Sequence, residues 1–356
     1  LKPTKGRRQE GVRSKLIPVE EAIGHVLPHD VTMIVPGQFK GARFKKGHII
    51  REEDIPILKA CGKDHIYILE LEPDELHEDE VALRLARACC GEGVTFSPEI
   101  REGKVIFKAE RDGLFKVETE AVFRINLLGE ISLSTKHNNL WVKKGDQLAG
   151  GRAIPLVVKE PLVKEVERIC SEYPKGVLRV LPRKVNSAGL VITGNEVFYG
   201  RIEDAFAPRL MPKLQSFGLN VLGPLFAPDD REFIRASIDD LFNRGAEVVL
   251  VTGGMSVDPD DVTRLAIQDL NPDHYVYGTP VLPGNMFLYA SLGDRVILGI
   301  PACAMFFKIT ILDLILPRVL VGERITREDI ARLGHGGFCY NCPECRYPIC
   351  PFGKAC

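Results

Sequence analysis

Residues 247–261 read EVVLVTGGMSVDPDD, and this stretch decides the fold. Glu247 to Thr252 has the largely β-branched, apolar make-up of a short buried strand. Gly253 and Gly254 follow at once, so the backbone can turn sharply and leave amide groups facing outward, where they can meet a phosphate. A helix predicted over Val262–Leu270 points its positive end at the same place. Thr252 and Ser256 add hydroxyl donors. Asp258, Asp260 and Asp261 repel a bare phosphate, but they suit a divalent cation bridging to one, or the N–H-rich edge of a heterocycle. All three cannot cap one helix, so at least one is free for such work.

On either side of this stretch strands alternate with helices, the mark of a largely parallel sheet. Upstream come a strand at Leu190–Thr193, a helix at about Glu203–Phe217 that Pro208 and Pro212 delay or kink, and a strand at Asn220–Phe226. Asp229 and Glu232 form a capping-box pattern for a helix that carries Ile234, Ile238 and Leu241 and ends at Gly245. Downstream come strands at Met286–Ala290 and Arg295–Ile300, then an apolar helix over Ala304–Leu316, stopped by Pro317. The expected fold class is α/β, a doubly wound, mostly parallel sheet within residues 175–325. Ligands of such sheets bind beyond the carboxyl ends of the strands. The candidate loops are therefore Thr193-Gly194-Asn195-Glu196 with Asp204, the 252–261 loop, and Leu282-Pro283-Gly284-Asn285 with Gly299-Ile300-Pro301-Ala302.

The rest of the chain divides into smaller pieces. Residues 1–15 form a basic tail with Lys2, Lys5, Arg7, Arg8, Arg13 and Lys15 against Glu10. Residues 16–73 mix short strands and helices. Residues 74–172 form a strand-rich middle module with a helix at Glu75–Cys90, strands at Lys104–Ala109, Leu114–Val117, Ala121–Asn126 and Glu130–Ser134, and a helix at Glu160–Cys170. These N-terminal modules read as α+β or barrel-like. The length of 356 residues asks for more than one core, and a formal net charge of −1 gives no global field to recruit nucleic acid or an anionic membrane. No run reaches the ~18–20 apolar residues of a membrane helix. With no signal-peptide pattern either, the expectation is a cytoplasmic protein.

Five of the ten cysteines fall in the last eighteen residues. Cys339, Cys342, Cys345 and Cys350-Pro351 are spaced by two, two and four residues, between Gly336-Gly337 and Gly353. Free thiols at such density oxidise readily, so residues 335–356 are expected to bind a metal. The spacing is close to that of an iron–sulfur cluster, which has three residues before the final Cys-Pro. Zinc held by His335 and three or four of the cysteines satisfies the same pattern. The tail also reads as a docking element for a partner enzyme with metal centres of its own.

The ordered motifs resemble the molybdopterin-binding domain family, shared by molybdopterin molybdotransferases and molybdopterin adenylyltransferases. Thr193-Gly194-Asn195-Glu196-Val197 resembles that family's TGDEL segment. Thr252-Gly253-Gly254-Met255-Ser256-Val257 with Asp261 resembles its GGxSxGxxD loop. Pro283-Gly284 resembles its PGKP segment, and Leu298-Gly299-Ile300-Pro301 its GLPGNP segment. The likeness covers about 130 residues closely and extends loosely to Val19–Leu27 and Phe44–Gly62. It departs at Asn195, which replaces the TGDEL aspartate, and at Asp258, which replaces a glycine. Asn285 and Met286 replace a lysine and a proline, and Ala302, Cys303 and Ala304 replace Gly-Asn-Pro.

The resemblance implies a ligand, molybdopterin or its adenylylated form, and a reaction, insertion of molybdate (or tungstate) with a divalent cation such as magnesium. It implies that Asp261 holds that cation and that Asp204 touches the nucleotide-pterin. Thr193, Gly194, Asn195, Glu196, Thr252, Gly253, Gly254, Ser256, Asp258, Pro283, Gly284 and Pro301 would line the site. Family members usually work as homodimers. Two other functions fit the same frame: a non-catalytic molybdopterin-binding chaperone or sensor whose tail docks onto a molybdoenzyme, and a nucleotide pyrophosphate hydrolase of the competence-damage-inducible type.

Overall fold

The computed structural model describes residues 14–35, 39–98, 100, 103–256 and 261–354. It divides into two compact units. The first holds the described residues of 1–110, 117–136 and 144–179, the second those of 111–116, 137–143 and 180–356. Among the described residues no helix is long and apolar enough to cross a membrane.

The first unit is built from small antiparallel sheets. Ser14–Pro18 pairs with His65–Leu69, and Val31–Val35 with Phe39–Phe44. Four further strands lie in the order Val94–Phe96, Lys104–Ala109, Gln147–Ala153, Ile131–Thr135. The helix Glu78–Cys89 buries Val81, Ala82, Leu85, Ala86 and Cys89, residues three and four apart that share one helical face. Its Arg84 donates to both carboxylate oxygens of Glu167, at 2.8 and 2.7 Å, on the neighbouring helix Glu160–Ser171.

One expected strand in this unit is a helix. Ala121–Asn126 lies inside a helix over Thr119–Leu127. The β-branched and aromatic content of Val122, Phe123 and Ile125 suggests a strand, but the buried residues are Ala121 and Ile125, four apart as a helix requires. Asn126 clasps the next strand, donating to the Leu133 carbonyl and accepting from its amide at 2.9 and 2.8 Å.

The second unit carries a six-stranded sheet. Its strands are β1 (Ser187–Thr193), β2 (Asn220–Ala227), β3 (Val248–Thr252), β4 (His274–Tyr277), β5 (Leu288–Leu292) and β6 (Arg295–Ile300). Their order is β2-β1-β3-β6-β5-β4, with β2, β1, β3 and β6 parallel and β5 and β4 joined antiparallel at one edge. Its helices of six or more residues are α1 (Ala207–Ser216), α2 (Arg231–Asn243), α3 (Thr263–Gln268), α4 (Ile311–Leu320) and α5 (Arg327–Arg332), and a single turn of helix covers Asn195–Phe198. Leu210, Leu214, Ile315 and Leu316 from α1 and α4 share one core with Leu190 and Leu250. Ile234, Ile238, Leu241 and Ile267 from α2 and α3 share another with Val191, Val249 and Val251. Alternate residues of β1 and β3 thus face different cores, which is why every residue of β3 is buried. The protein is an α/β fold with a mixed, mostly parallel six-stranded sheet, preceded by small antiparallel modules.

The last apolar helix departs from expectation. Ala302–Met305 is a single 3-10 turn, and α4 starts only at Ile311, where Thr310 and Asp313 form a reciprocal capping box. Pro317 does not stop α4 but lies inside it. A proline at this position cannot donate to the carbonyl of Asp313, four residues back. The Tyr347 hydroxyl donates to that carbonyl instead, at 3.2 Å. Burial first, and the nearby Asp313 charge second, push the Tyr347 phenol well above its ordinary range, so it stays a donor at neutral pH.

Tyr347→Phe should therefore cost about 1–2 kcal/mol, the usual cost of a buried acceptor left without a donor. It should also speed tryptic cleavage after Arg346. An unchanged cleavage rate and midpoint would mean that the hydroxyl contributes nothing to holding the tail.

Candidate functional site

A cavity of about 650 Å³ opens beyond the carboxyl ends of β3 and β6. Gly253, Gly254, Ser256 and Asp261 line it from the loop after β3, Pro283 and Gly284 from the loop after β4, and Pro301 from the loop after β6. β3 and β6 are adjacent parallel strands, so the loops at their carboxyl ends emerge side by side.

The turn after β3 is built on two consecutive positive φ angles, 76° at Gly253 and 55° at Gly254. A Cβ on Gly254 would overlap the Thr263 hydroxyl and sit 3.2 Å from the Thr263 amide. Thr263 is itself fully buried, with its hydroxyl 3.0 Å from that of Thr193. The Thr193 hydroxyl also donates to the Thr252 carbonyl at 2.6 Å. These threonines hold the turn from below. The Gly253 amide is spent on the Ile300 carbonyl, whereas among the described residues nothing accepts from the amides of Gly254 and Met255. Those two amides are the donors the site offers to an anion.

Asp261 closes the same loop by accepting from the Ser256 amide at 2.9 Å. Asp258 lies outside the described residues, as do Val257, Pro259 and Asp260. The helix behind the loop covers only Thr263–Gln268, shorter than expected, so its positive end adds little.

Six of the expected residues lie elsewhere. Thr252 is fully buried under the turn, and its hydroxyl finds no partner among the described residues. Thr193 is 3% exposed. Gly194, Asn195 and Glu196 turn toward the end of β2, because Asn195 and Asp229 exchange backbone-to-side-chain hydrogen bonds at 2.9 and 3.2 Å. Asp204 accepts from the amides of Phe206 and Ala207, at 2.8 and 2.9 Å, and so caps α1.

The rest of the wall is mostly apolar: Met255, Leu282, Met286, Ala302, Phe307 and Phe338, with Asn285, Cys303, Cys339 and Asn341. Among the described lining residues there is no Lys or Arg. Asn285 spends its amide on the Thr279 carbonyl at 2.7 Å. The Tyr277 hydroxyl donates to the Met255 carbonyl at 2.6 Å, fixing the turn from the β4 side. Burial pushes the Cys303 thiol above its ordinary range, which makes it a poor nucleophile. As to a divalent cation, Asp261 is the sole described carboxylate on the wall, and no three His, Cys, Asp or Glu side chains among the described residues stand together as a ligand set. The donors fit a cation shared with a ligand's own oxygens, not one caged by protein.

Phe307, Phe338, Cys339 and Asn341 are shared with a second cavity of about 350 Å³, which Cys342, Cys345 and Cys350 also line. The cysteine segment is docked rather than loose. Gly337 accepts from the Leu282 amide and Leu282 from the Cys339 amide, both at 2.8 Å, while Gly353 donates to Gly336 at 2.9 Å. Phe352 is 3% exposed within the sheet's core. His335 does not line this cavity, and Cys356 lies outside the described residues. No sequence period announces that residues 338–341 wall the larger cavity, since a single parallel bridge from Leu282 to Phe338 brings them there.

Residues 189–320 match a family described as a probable molybdopterin binding domain, and residues 16–70 match a domain of unknown function. A CinA-like protein of Anaeromyxobacter sp. (strain K) is 38% identical over 74 residues, 21% of this chain and 18% of that protein. A molybdopterin molybdenumtransferase of Synechococcus elongatus is 28% identical over 110 residues, 29% of this chain and 27% of that one. The solved structure of a molybdopterin biosynthesis moea protein from Pyrococcus horikosii superposes with a TM-score of 0.33 at 15% identity, covering 87% of this chain and 75% of its own. The matched segments span only 18% and 27% of the length of these two curated relatives. Residues 189–320 belong to the molybdopterin-binding domain family, and they follow an N-terminal domain whose family has no known function.

Proposed function

We propose that this domain binds molybdopterin, or its adenylylated form, in the 650 Å³ cavity, and that it serves molybdenum cofactor biosynthesis in the cytoplasm. One observation carries the reading: a mostly apolar wall meets two backbone amides, at Gly254 and Met255, that have no acceptor among the described residues. A pterin ring needs the first and a phosphate needs the second. In this reading Asp261 shares a divalent cation with the ligand's phosphate oxygens, which is how magnesium is usually held. Such a cation, when bound, neutralises phosphate charge where molybdate is inserted. The chain's own part is to grip the phosphate through the turn, to seat the ring against Met286 and Phe338, and to exclude water with Leu282 and Phe307.

A described lining without Lys or Arg favours a second reading, binding without turnover, because none of those residues sets a fixed cation against molybdate or a leaving phosphate. Incubation with adenylylated molybdopterin, molybdate and magnesium separates the two. Release of AMP with formation of the cofactor marks a transferase, and binding without AMP marks a carrier. Cleavage of a plain dinucleotide would instead mark a pyrophosphate hydrolase. In either of the first two cases Asp261→Ala should weaken binding about 10- to 100-fold, the value of one charge-assisted hydrogen bond. Unaltered binding in that variant would remove Asp261 from the site.

A further inference from the structure

We propose that the 350 Å³ cavity is a nucleotide subsite that takes a purine nucleoside monophosphate group. Its volume lies at the lower end of the ~300–1,000 Å³ usual for small-molecule sites. The inner side is packed: Phe352 is buried, and Tyr347 stands edge-on to it with ring centroids 6.4 Å apart. Three other rings that line the cavity are left open to solvent, Phe306 at 75%, Phe338 at 69% and Tyr340 at 74% exposed. Apolar surface gathered in this way around one hollow marks a place that something covers. A planar base stacked on such rings removes that surface from water. The hollow is also preformed, since the Leu282 bonds and the Gly353–Gly336 bond fix the backbone at both ends of the segment.

The polar groups of the same lining match the rest of a nucleotide. Lys308 and Arg346 line this cavity, whereas the described wall of the larger one has no such cation. Neither forms an ion pair with a described residue, and a guanidinium fork fits phosphate oxygens. Glu344 is on the lining too, and a carboxylate accepts ribose hydroxyls in dinucleotide sites. Two cations against one carboxylate suit a single phosphate group and not a triphosphate. Asn341 lines both cavities; its amide is spent on the Cys339 sulfur at 3.5 Å, but its carboxamide has no partner among the described residues. A carboxamide donates and accepts side by side, as the edge of a purine requires. Because Phe307, Phe338, Cys339 and Asn341 wall both cavities, one ligand can reach from the glycine turn into this subsite. The nucleotide is then either one half of that ligand or a free molecule, and the proposal rests on the pterin reading only in the first case.

Calorimetry on the full chain measures binding of AMP, adenosine and inorganic phosphate, with molybdopterin and its adenylylated form alongside. AMP should bind about 10-fold more tightly than either of its fragments, because rings and cations act together. If the nucleotide is half of one ligand, the adenylylated pterin binds about 10-fold more tightly than plain molybdopterin and displaces AMP. AMP that stays bound in the presence of the adenylylated pterin marks a free nucleotide instead. Tyr340→Ala and Arg346→Ala, at exposed positions, should each weaken AMP binding about 10-fold, the value of one stacked ring or one charge-assisted contact. The proposal is overturned if AMP binds no better than inorganic phosphate and the adenylyl group adds nothing to the affinity of the pterin. It is equally overturned if both variants bind AMP as the wild type does. Failure of the pterin reading gives a different result: AMP binds and Tyr340→Ala weakens it, while molybdopterin does not bind.

Discussion

Gly284→Ala destabilises the second unit by about 3–5 kcal/mol, the largest loss expected from removing so little freedom. Gly284 has a φ of 132°, where an L side chain is strained by about 1–3 kcal/mol. The new Cβ would also overlap Cγ2 of Ile311, lie 2.9 Å from its Cβ and 3.3 Å from its amide. Ile311 is fully buried at the start of α4, and its amide donates to the Pro283 carbonyl. It cannot move without shifting the helix. Gly293→Ala, at a φ of 58° with open space around a Cβ, isolates the dihedral part and should cost about 1–2 kcal/mol.

The lone tryptophan of the chain, Trp141, packs edge-on against Phe217 at 5.2 Å within the second unit. Its fluorescence in urea therefore follows this unit's unfolding. Equal midpoints for the two alanine variants would refute the steric account of Gly284.

Lys213→Met should cost about 3 kcal/mol in the same assay. The Lys213 ammonium lies 2.6 and 2.8 Å from the two carboxylate oxygens of Asp313 and 3.1 Å from the Lys308 carbonyl. The carboxylate side is only 9% exposed. Removing one partner of such a pair leaves the other charge buried and uncompensated, which costs about 3–5 kcal/mol; the bond Asp313 keeps from the Thr310 amide softens this. The double variant Lys213→Met with Asp313→Asn should recover part of the loss, because the amide retains the Thr310 bond and carries no charge. No recovery would mean that the lysine acts through packing of its stem.

The parts of this fold legible in the sequence are those decided locally. The run Val248–Thr252 with two glycines after it specifies a buried strand and a tight turn. The helix after β2 was also legible, but not its cap: Asp230, not the expected Asp229 with Glu232, caps α2 by accepting from the Phe233 amide, while Asp229 is engaged by Asn195. Thr119–Leu127 was not legible, because strand propensity and helical burial compete there and the tertiary contacts decide. Pro317 misleads for a similar reason. A proline breaks a helix only where the freed carbonyl stays unpaired, and here Tyr347, thirty residues on, supplies the donor. For the candidate site, the glycine turn, Asp261 and the Pro283-Gly284 loop could be anticipated from motifs. The turn of Asn195 toward Asp229 and the docking of Phe338 on Leu282 could not, since each depends on one long-range pairing with no periodic trace.

The shared wall of Phe307, Phe338, Cys339 and Asn341 ties the two cavities into one thermodynamic system. An occupant that favours one arrangement of these four side chains changes the affinity of the neighbouring cavity by some factor. By linkage, filling the neighbour changes the first affinity by that same factor. Affinity at the glycine turn then depends on what occupies the neighbouring cavity, and any reagent that alters that cavity's lining is felt at the turn.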